Sequence, residues 1–338
     1  MVGGRLPRAD NEQEERQEPN RSDGGWGQEC GGKVDHSLRL MVQNVNGVGQ
    51  DTDSHKVQNI KNFIDEYKID ILGIQETNVC WYNCRYKDRL NRRFRGWKEA
   101  CHVGVAYNTT EKWQGGYQPG GVGSITTGRL AHRKIGQGID ETKLGRWYWT
   151  RYRGSHNRVF RVVNIYRPCP SKDKRSSYLQ HARYLIKNKD IREPRDAFLS
   201  DLATEVTKWK ELGDSIVVMG DWNTDVRLPA FQEWCTTLGL LDASLASLDN
   251  LETAPATYSR GSYPIDTILV TRGIEIIQAG YLPFGTGVGD HRPLYIDILT
   301  TSVLGTRVPP VISAGGRRLK LQDPRVVKKY NNILEIYL

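Results

Sequence analysis

The stretch Ser215-Ile216-Val217-Val218-Met219-Gly220-Asp221-Trp222-Asn223-Thr224-Asp225 sets the reading of the whole chain. Ile216 to Met219 is a short apolar, β-branched run of the kind that fills a buried strand. It breaks at Gly220, and Asp221 and Asn223 follow two positions apart, so strand alternation sends both side chains the same way. A carboxylate and an amide delivered by the end of a core strand can bind a metal ion, a water or a phosphate oxygen. Gly, Asp and Asn are also ordinary turn residues. The weight of the motif therefore depends on how many other strands end alike.

Several do. Leu38, Leu40 and Val42 alternate with Arg39, Met41 and Gln43 and predict a strand over 38–45. It exits through Asn44-Val45-Asn46-Gly47, either a second pair of amides two apart or a turn built on Asn46-Gly47. Ile69 to Ile74 reads as another buried strand ending in Gln75-Glu76-Thr77. Glu76 has no cation beside it in sequence, and a carboxylate so placed needs a partner such as a metal ion. Trp147 to Tyr152 and Val159 to Ile165 predict a hairpin around Gly154-Ser155-His156-Asn157. Its second strand delivers Tyr166, for which a structural tyrosine is the alternative. Ile265 to Val270 carries Asp266 near its start, where a carboxylate is costly unless paired. Gly289-Asp290-His291 precedes a strand from Leu294 to Ile298, and a histidine with two carboxylate neighbours to choose from is a general-base candidate.

Helical spacing places Val57, Ile60, Ile64 and Tyr67 on one face after a Ser54 N-cap, and Phe198, Leu202, Val206 and Trp209 after Pro194. A third helix starts at Pro229 and carries Phe231, Trp234 and Leu238. The glycine-rich stretch Gly115 to Gly128 reads as loops and turns, and 169–192 as a basic surface loop or short helix. Near-continuous apolar strands separated by helices argue for an α/β protein with buried sheets. Residues 1–36 are polar enough to be expected disordered, residues 37–300 form the folded unit, and 301–338 read as a linker and a basic amphipathic helix. That last segment holds Pro309-Pro310, Gly315-Gly316, the basic Arg317, Arg318 and Lys320, and a helix capped at Asp323-Pro324 with Val327, Tyr330, Leu334 and Tyr337 on one face.

The 338 residues carry a formal charge of +9, with pI ≈ 9.2 and mean hydropathy −0.58. No apolar run approaches the ~20 residues of a membrane span, and no basic-then-apolar leader opens the chain. An intracellular protein is the expectation. The charge favours an anionic partner, with nucleic acid ahead of membrane. Residues 80–100 interleave Trp81, Tyr82, Tyr86, Phe94 and Trp97 with seven arginines and lysines, which suits a nucleic-acid face or an exposed amphipathic segment. Cys80, Cys84, Cys101 and His102 could be forced into a zinc site, but no second close pair supports it. Reduced thiols are expected. There is no Walker A loop and no GxGxxG in a strand-turn-helix setting.

Acids for a divalent cation, amides and a tyrosine for phosphate oxygens, and a histidine among carboxylates suit metal-assisted attack of water on a phosphodiester. The ordered motifs Gln-Asn-Val-Asn-Gly (43–47), Gly-Ile-Gln-Glu-Thr (73–77), Asn-Ile-Tyr-Arg-Pro (164–168), Gly-Asp-Trp-Asn (220–223), and Ile-Asp (265–266) with Gly-Asp-His (289–291) resemble those of the endonuclease/exonuclease/phosphatase superfamily, the DNase I-like fold. The resemblance runs from about Leu38 to Ile298. Within the superfamily it is most similar to the apurinic-site-type endonucleases of LINE-like retrotransposons.

The resemblance implies a four-layer α/β/β/α sandwich with its active site at one edge. It implies Mg²⁺, with Mn²⁺ as a substitute, held mainly by Glu76 with help from Asn44, and Asp290 as an outer or alternative ligand. Asn223 and Tyr166 would hold the scissile phosphate. His291, oriented by Asp266, would be the general base or a phosphate-binding group, and Asp221 would activate or position the water. Asn46 and Thr257 would be further substrate contacts. The sequence departs from the pattern at Asn46, where cellular repair enzymes tend to have Asp, at Gly289 in place of Ser, and at Cys169 in place of Asn. The expected activity is a DNA endonuclease nicking one strand, with a nuclear location following from that and a reverse transcriptase domain as a partner outside this chain. The alternatives are a phosphoesterase of the same fold acting on a phosphoinositide or other small phosphoester, and a catalytically silent nucleic-acid-binding module.

Overall fold

The computed structural model describes residues 26–50, 55–306 and 322–337. In chain order its elements are β1 (Trp26–Gly27), β2 (Ser37–Asn44), α1 (His55–Glu66), β3 (Ile71–Gln75), α2 (Leu90–Arg93), β4 (Cys101–Ala106), β5 (Val122–Thr127), α3 (Gly128–Ala131), β6 (Lys134–Ile139), β7 (Trp147–Arg153), β8 (Val159–Tyr166), α4 (Ser177–Lys187), α5 (Pro194–Glu211), β9 (Ser215–Asp221), α6 (Pro229–Thr237), β10 (Leu240–Asp242), β11 (Asp266–Thr271), β12 (Ile276–Tyr281), β13 (Leu294–Leu299), α7 (Thr300–Leu304) and α8 (Pro324–Tyr337). The strands form a seven-stranded sheet, β1-β12-β13-β2-β3-β5-β4, and a six-stranded sheet, β10-β11-β9-β8-β7-β6. One neighbouring pair in each is parallel, β2 with β3 and β8 with β9. A parallel pair needs a crossover, supplied by α1 in the first case and by α4 and α5 in the second.

Alternation decides what each face buries. The even-numbered residues of β2, Leu38, Leu40 and Val42, join Val217 and Met219 of β9, Ile268 of β11 and Ile296 of β13 in the core between the sheets. The opposite parity, Met41 with Leu72, packs under Ile60, Phe63 and Ile64 of α1. On the other side Val163, Ile165, Ile216 and Val218 pack under Phe198, Leu202 and Val206 of α5 and Phe231 of α6. The result is the expected α/β/β/α sandwich, each fully buried aliphatic or aromatic side chain contributing about 1.5–3 kcal/mol.

Three expectations are corrected. Residues 26–36 are not part of a disordered tail: β1 pairs with β12, and the Arg292 guanidinium lies 4.4 Å from the Trp26 ring centroid. One aromatic residue in a polar stretch is enough to dock it, because the ring finds both a strand edge and a cation; residues 1–25 lie outside the described residues. The stretch Gly115 to Gly128 contains β5, which is hydrogen-bonded on both sides, to β3 and β4. Its glycines masked Val122 and Ile125, both fully buried. Within 169–192 the short-helix reading holds: Ser176 caps α4 by accepting a hydrogen bond from the Leu179 N–H. The folded unit also runs past residue 300, since Val303 and Leu304 of α7 join the inter-sheet core. The helix after Asp323 forms as α8, whereas Ser54 and the linker with Arg317, Arg318 and Lys320 lie outside the described residues. All six cysteines are unpaired thiols, and among the described residues no Cys/His group is close enough to hold a metal.

The two sheets are tied together near one edge by a buried amide. Asn164 of β8, with no exposed surface, donates from Nδ2 to the carbonyls of Ile74 (3.0 Å) and Gly123 (2.7 Å) in the other sheet. Its Oδ1 accepts from Gln75 Nε2. Asn164→Ala strands the Gln75 amide in the interior, and a buried unsatisfied group costs about 1–3 kcal/mol. The expected outcome is a loss of about 2 kcal/mol in urea-unfolding stability; an unchanged midpoint and slope would show that the clasp does not hold the sheets.

Candidate active site

Strand register brings the polar strand ends together. In the parallel pair β8/β9, Tyr166 lies beside Asp221, and in the antiparallel pair β9/β11, Asp221 lies opposite Asp266. In the other sheet Asn44 ends β2 beside Gln75, the residue before Glu76. Asn44 shares the parity of Leu40 and Val42, so its amide points between the sheets. There Nδ2 donates to Glu76 Oε1 (3.1 Å) and to Asp221 Oδ2 (2.9 Å). One amide nitrogen thus links carboxylates carried by the two sheets.

Glycines at two strand exits allow this approach. A Cβ on Gly220 would lie 2.1 Å from the Ile165 carbonyl oxygen, and one on Gly289 only 1.9 Å from that of Asn44. Gly289, which in sequence looked like the loss of a serine hydroxyl, is what lets the His291 loop lie on the end of β2. That loop is clamped by Gln43, whose Nε2 donates to the carbonyls of His291 (2.9 Å) and Thr286 (3.0 Å) and whose Oε1 accepts from the Val288 N–H (3.1 Å). His291 Nδ1 donates to Asp266 Oδ2 at 2.7 Å, which fixes the ring and leaves Nε2 for chemistry. The Tyr258 ring packs on the imidazole, centroids 5.0 Å apart.

The remaining residues sort by depth. Asn223 donates from its N–H to Asp221 Oδ1 (2.8 Å) and from Nδ2 to the Arg167 carbonyl (2.7 Å). Arg195 donates to the carbonyls of Asn223 (2.8 Å) and Pro168 (3.1 Å), bracing the loops that follow β9 and β8. Asn46 is at the rim: it is exposed, and its Nδ2 donates to Asp290 Oδ2 at 3.2 Å. Thr257 is corrected. It is fully buried, and its hydroxyl accepts the N–H groups of Ile265 (2.9 Å) and Asp266 (3.1 Å). It positions the start of the strand that carries Asp266. Glu76, Asn46, Asn78 and Asn223 have φ between 46° and 54°, a region costly for a residue such as Glu and typical of strained functional sites. Asn78 supports Glu76 by donating to Oε2 (3.4 Å).

Gln43, Asn78, Asn164 and Arg195 were not singled out from sequence as site residues. Gln43 and Asn164 sit inside the quoted motifs, so their neighbours were the available signal; Arg195 lies in a helix start and carried none.

The pocket is dense in acid. Burial is the largest influence on Asp221 and, with Asp266 and Glu76 nearby, lifts its pKa to about 8 against the opposing pull of His291 and Asn44. Burial alone would lower His291, but Asp266, Asp221 and Asp290 overcome it and raise its pKa to about 10. Tyr166 is pushed well above the usual phenol range by burial and then by Glu76 and Asp221. These acids favour the imidazolium form of His291, and burial beside Asp266 disfavours the ionised form of Asp221. Among the described residues neither Glu76 nor Asp221 forms an ion pair with Lys or Arg. Asp266 Oδ1 is buried without a hydrogen-bond partner, and Asp221, Asp266 and His291 bring one ligand atom each within 4.8 Å of one another. Hard oxygen donors with this little compensating charge fit a divalent cation of the Mg²⁺ and Mn²⁺ class. With Nδ1 engaged by Asp266, His291 completes a His–Asp pair, while Asn44 turns its Nδ2 to Glu76 and Asp221 and its Oδ1 accepts the Asn46 N–H (3.0 Å).

The same fold is found in solved structures at low identity. The human Nocturnin catalytic domain with bound sulfate is 17% identical with TM-score 0.55, covering 79% of this chain and 95% of that one. The Xenopus laevis APE2 catalytic domain is 15% identical with TM-score 0.55, over 78% and 92%. The AP endonuclease LMAP from Leishmania major is 13% identical with TM-score 0.59, over 78% and 88%. No curated protein sequence matches the chain. The model of the Endonuclease/Exonuclease/phosphatase family matches residues 41–291, spanning every strand end that builds the site, and the chain belongs to that family, whose members are generally hydrolases of phosphoesters.

Proposed function

We propose that the protein is a divalent-metal-dependent DNA endonuclease of the apurinic-site type, hydrolysing one phosphodiester bond to nick a single strand, as in LINE-like elements. The observation that carries this reading is the convergence of Asn44, Glu76, Asp221, Asn223, Asp266 and His291 at one sheet edge. Two features favour DNA over a small phosphoester. The protein is strongly basic although its catalytic pocket is acidic, so the positive charge lies outside the pocket. In the 80–100 segment Trp81 and Phe94 are core, but Tyr82 and Tyr86 are exposed. The Arg92 and Arg89 guanidinium groups lie 4.1 and 5.7 Å from the Tyr86 ring centroid, an arrangement suited to a nucleic-acid backbone and bases. The relatives named as AP endonucleases support the same substrate class.

Glu76 would hold the cation, with the Asn44 amide at its side and Asp290 as an outer ligand at the rim, and the cation would supply charge neutralisation at a phosphate oxygen. The chain's own groups do the rest. Asp221, once deprotonated, accepts the proton of the attacking water as its oxygen bonds to phosphorus; the P–O3′ bond breaks, and the leaving oxygen takes a proton from solvent to become the 3′-hydroxyl of the nick. The His291 imidazolium donates from Nε2 to a non-bridging phosphate oxygen as charge develops. The Tyr166 hydroxyl and the Asn223 Nδ2 hydrogen not bound to the Arg167 carbonyl donate to the same group.

Glu76→Gln and His291→Ala are each expected to lower supercoiled-plasmid nicking by about 10²–10³-fold with the thermal unfolding midpoint retained; full nicking by both purified variants would rule out this site. Activity needs Asp221 deprotonated and His291 protonated. Because both pKa values are raised, to about 8 and about 10, kcat/KM should peak on the alkaline side. Asp266 raises both groups, so Asp266→Asn should move both limbs of the profile to lower pH. A profile that keeps its limbs while losing amplitude would show that Asp266 does not set these protonation states.

A further inference from the structure

A second concavity adjoins the catalytic pocket. It has a volume of about 590 Å³ and is lined by Trp113, Tyr117, Gln50, Asp173 and Arg175 among others, within the range of roughly 300–1,000 Å³ typical of small-ligand sites. Its wall reaches the reaction centre: Pro119 lines it, and a Cβ on the next residue, Gly120, would lie 3.6 Å from the Tyr166 ring. Burial and then the Glu76 carboxylate push the Tyr117 hydroxyl pKa up, with Arg175 opposing, so the tyrosine stands in the field of the catalytic acid.

The wall is fixed in place. Asn83 Nδ2 donates to the carbonyls of Trp113 (2.7 Å) and Gly115 (2.8 Å), and the Cys80 N–H donates to Gly116 O (2.8 Å). Asn78, the residue that supports Glu76, accepts the Gly120 N–H on its Oδ1 (2.8 Å) and donates its own N–H to Gly120 O (3.0 Å). Trp113 Nε1 donates to Tyr117 O. Yet Tyr117, held in this ordered loop, is 57% exposed. An aromatic ring kept in solvent by a hydrogen-bonded scaffold contributes little to the core and is preorganised for contact. Arg175 is exposed and makes no ion pair among the described residues.

Resting on the reading of the site as a DNA nuclease, we propose that this cavity seats a nucleobase flanking the scissile phosphate, stacked on Tyr117 and Trp113, with Arg175 on the adjoining backbone phosphate. Stacking on an aromatic platform serves any base, because each has a π-face. Gln50 and Asp173 add an amide and a carboxylate to the same lining, and a carboxylate accepts from exocyclic amino groups such as that of cytosine. The subsite acts on binding, so it should appear in KM and not in kcat.

The test uses the full chain and an oligonucleotide with one mapped nick site, made either intact or with a base-free tetrahydrofuran spacer at each flanking position in turn. For the wild type, the spacer at one flank is expected to raise KM about tenfold. Tyr117→Ala should raise KM on the intact strand by the same factor and erase the penalty of the spacer. Tyr117→Phe should behave as wild type, and Arg175→Ala should raise KM on both substrates alike. A Tyr117→Ala enzyme that still nicks with wild-type KM and the full spacer penalty overturns the subsite alone. A wild type that nicks no DNA overturns the nuclease reading and the subsite with it.

Discussion

Two buried asparagines that cross from one sheet to the other are the constraint on which this site depends. Asn164 gives its amide to β3 and β5, and Asn44 gives its amide to Glu76 and to Asp221. Apolar packing between sheets is non-directional and tolerates small slides. A buried amide does not, because a slide that breaks its hydrogen bonds leaves polar groups unsatisfied in a low-dielectric interior. The two clasps therefore turn an adaptable sandwich into one with a single registration at one edge, the edge where Glu76, Tyr166 and Asp221 emerge.

The charge balance of the pocket follows from that registration. Register alone places Asp221 opposite Asp266, and burial makes two ionised carboxylates there costly. The structure answers with His291, whose imidazolium is favoured by the same acids, although burial opposes it. On the proposed reading, a cation on the Glu76 side would supply the remaining compensation.

The loops around the pocket are held by side chains that never touch the chemistry. Gln43 clamps the His291 loop, Arg195 braces the exits of β8 and β9, and Thr257 spends its hydroxyl on the start of β11. Gly289 contributes by having no side chain at all. These supports leave the acids and the histidine with few rotamers to choose from, which is the preorganisation that electrostatic catalysis requires.

Local pattern was enough for the strands and helices with strong periodicity, and for the polar residues at their ends. The alternation of Leu38, Leu40 and Val42 already oriented Asn44, and the run from Ile216 to Met219 already ended in Asp221 and Asn223. Both readings rest on geometry within a few residues, which the sequence contains. What it lacked was everything set by contacts between distant segments. The strand β5 hid among glycines because its pairing to β3 and β4, and not its own composition, makes it a strand. Trp26 looked like part of a solvated tail until Arg292 and β12 received it. Thr257 resembled a substrate contact, and only the fold showed its hydroxyl bonded to the backbone at the start of β11. The sequence by itself determined which groups were on offer; the tertiary structure decided which of them share a pocket, because that depends on sheet registration fixed by buried amides whose partners lie as many as 177 positions away along the chain.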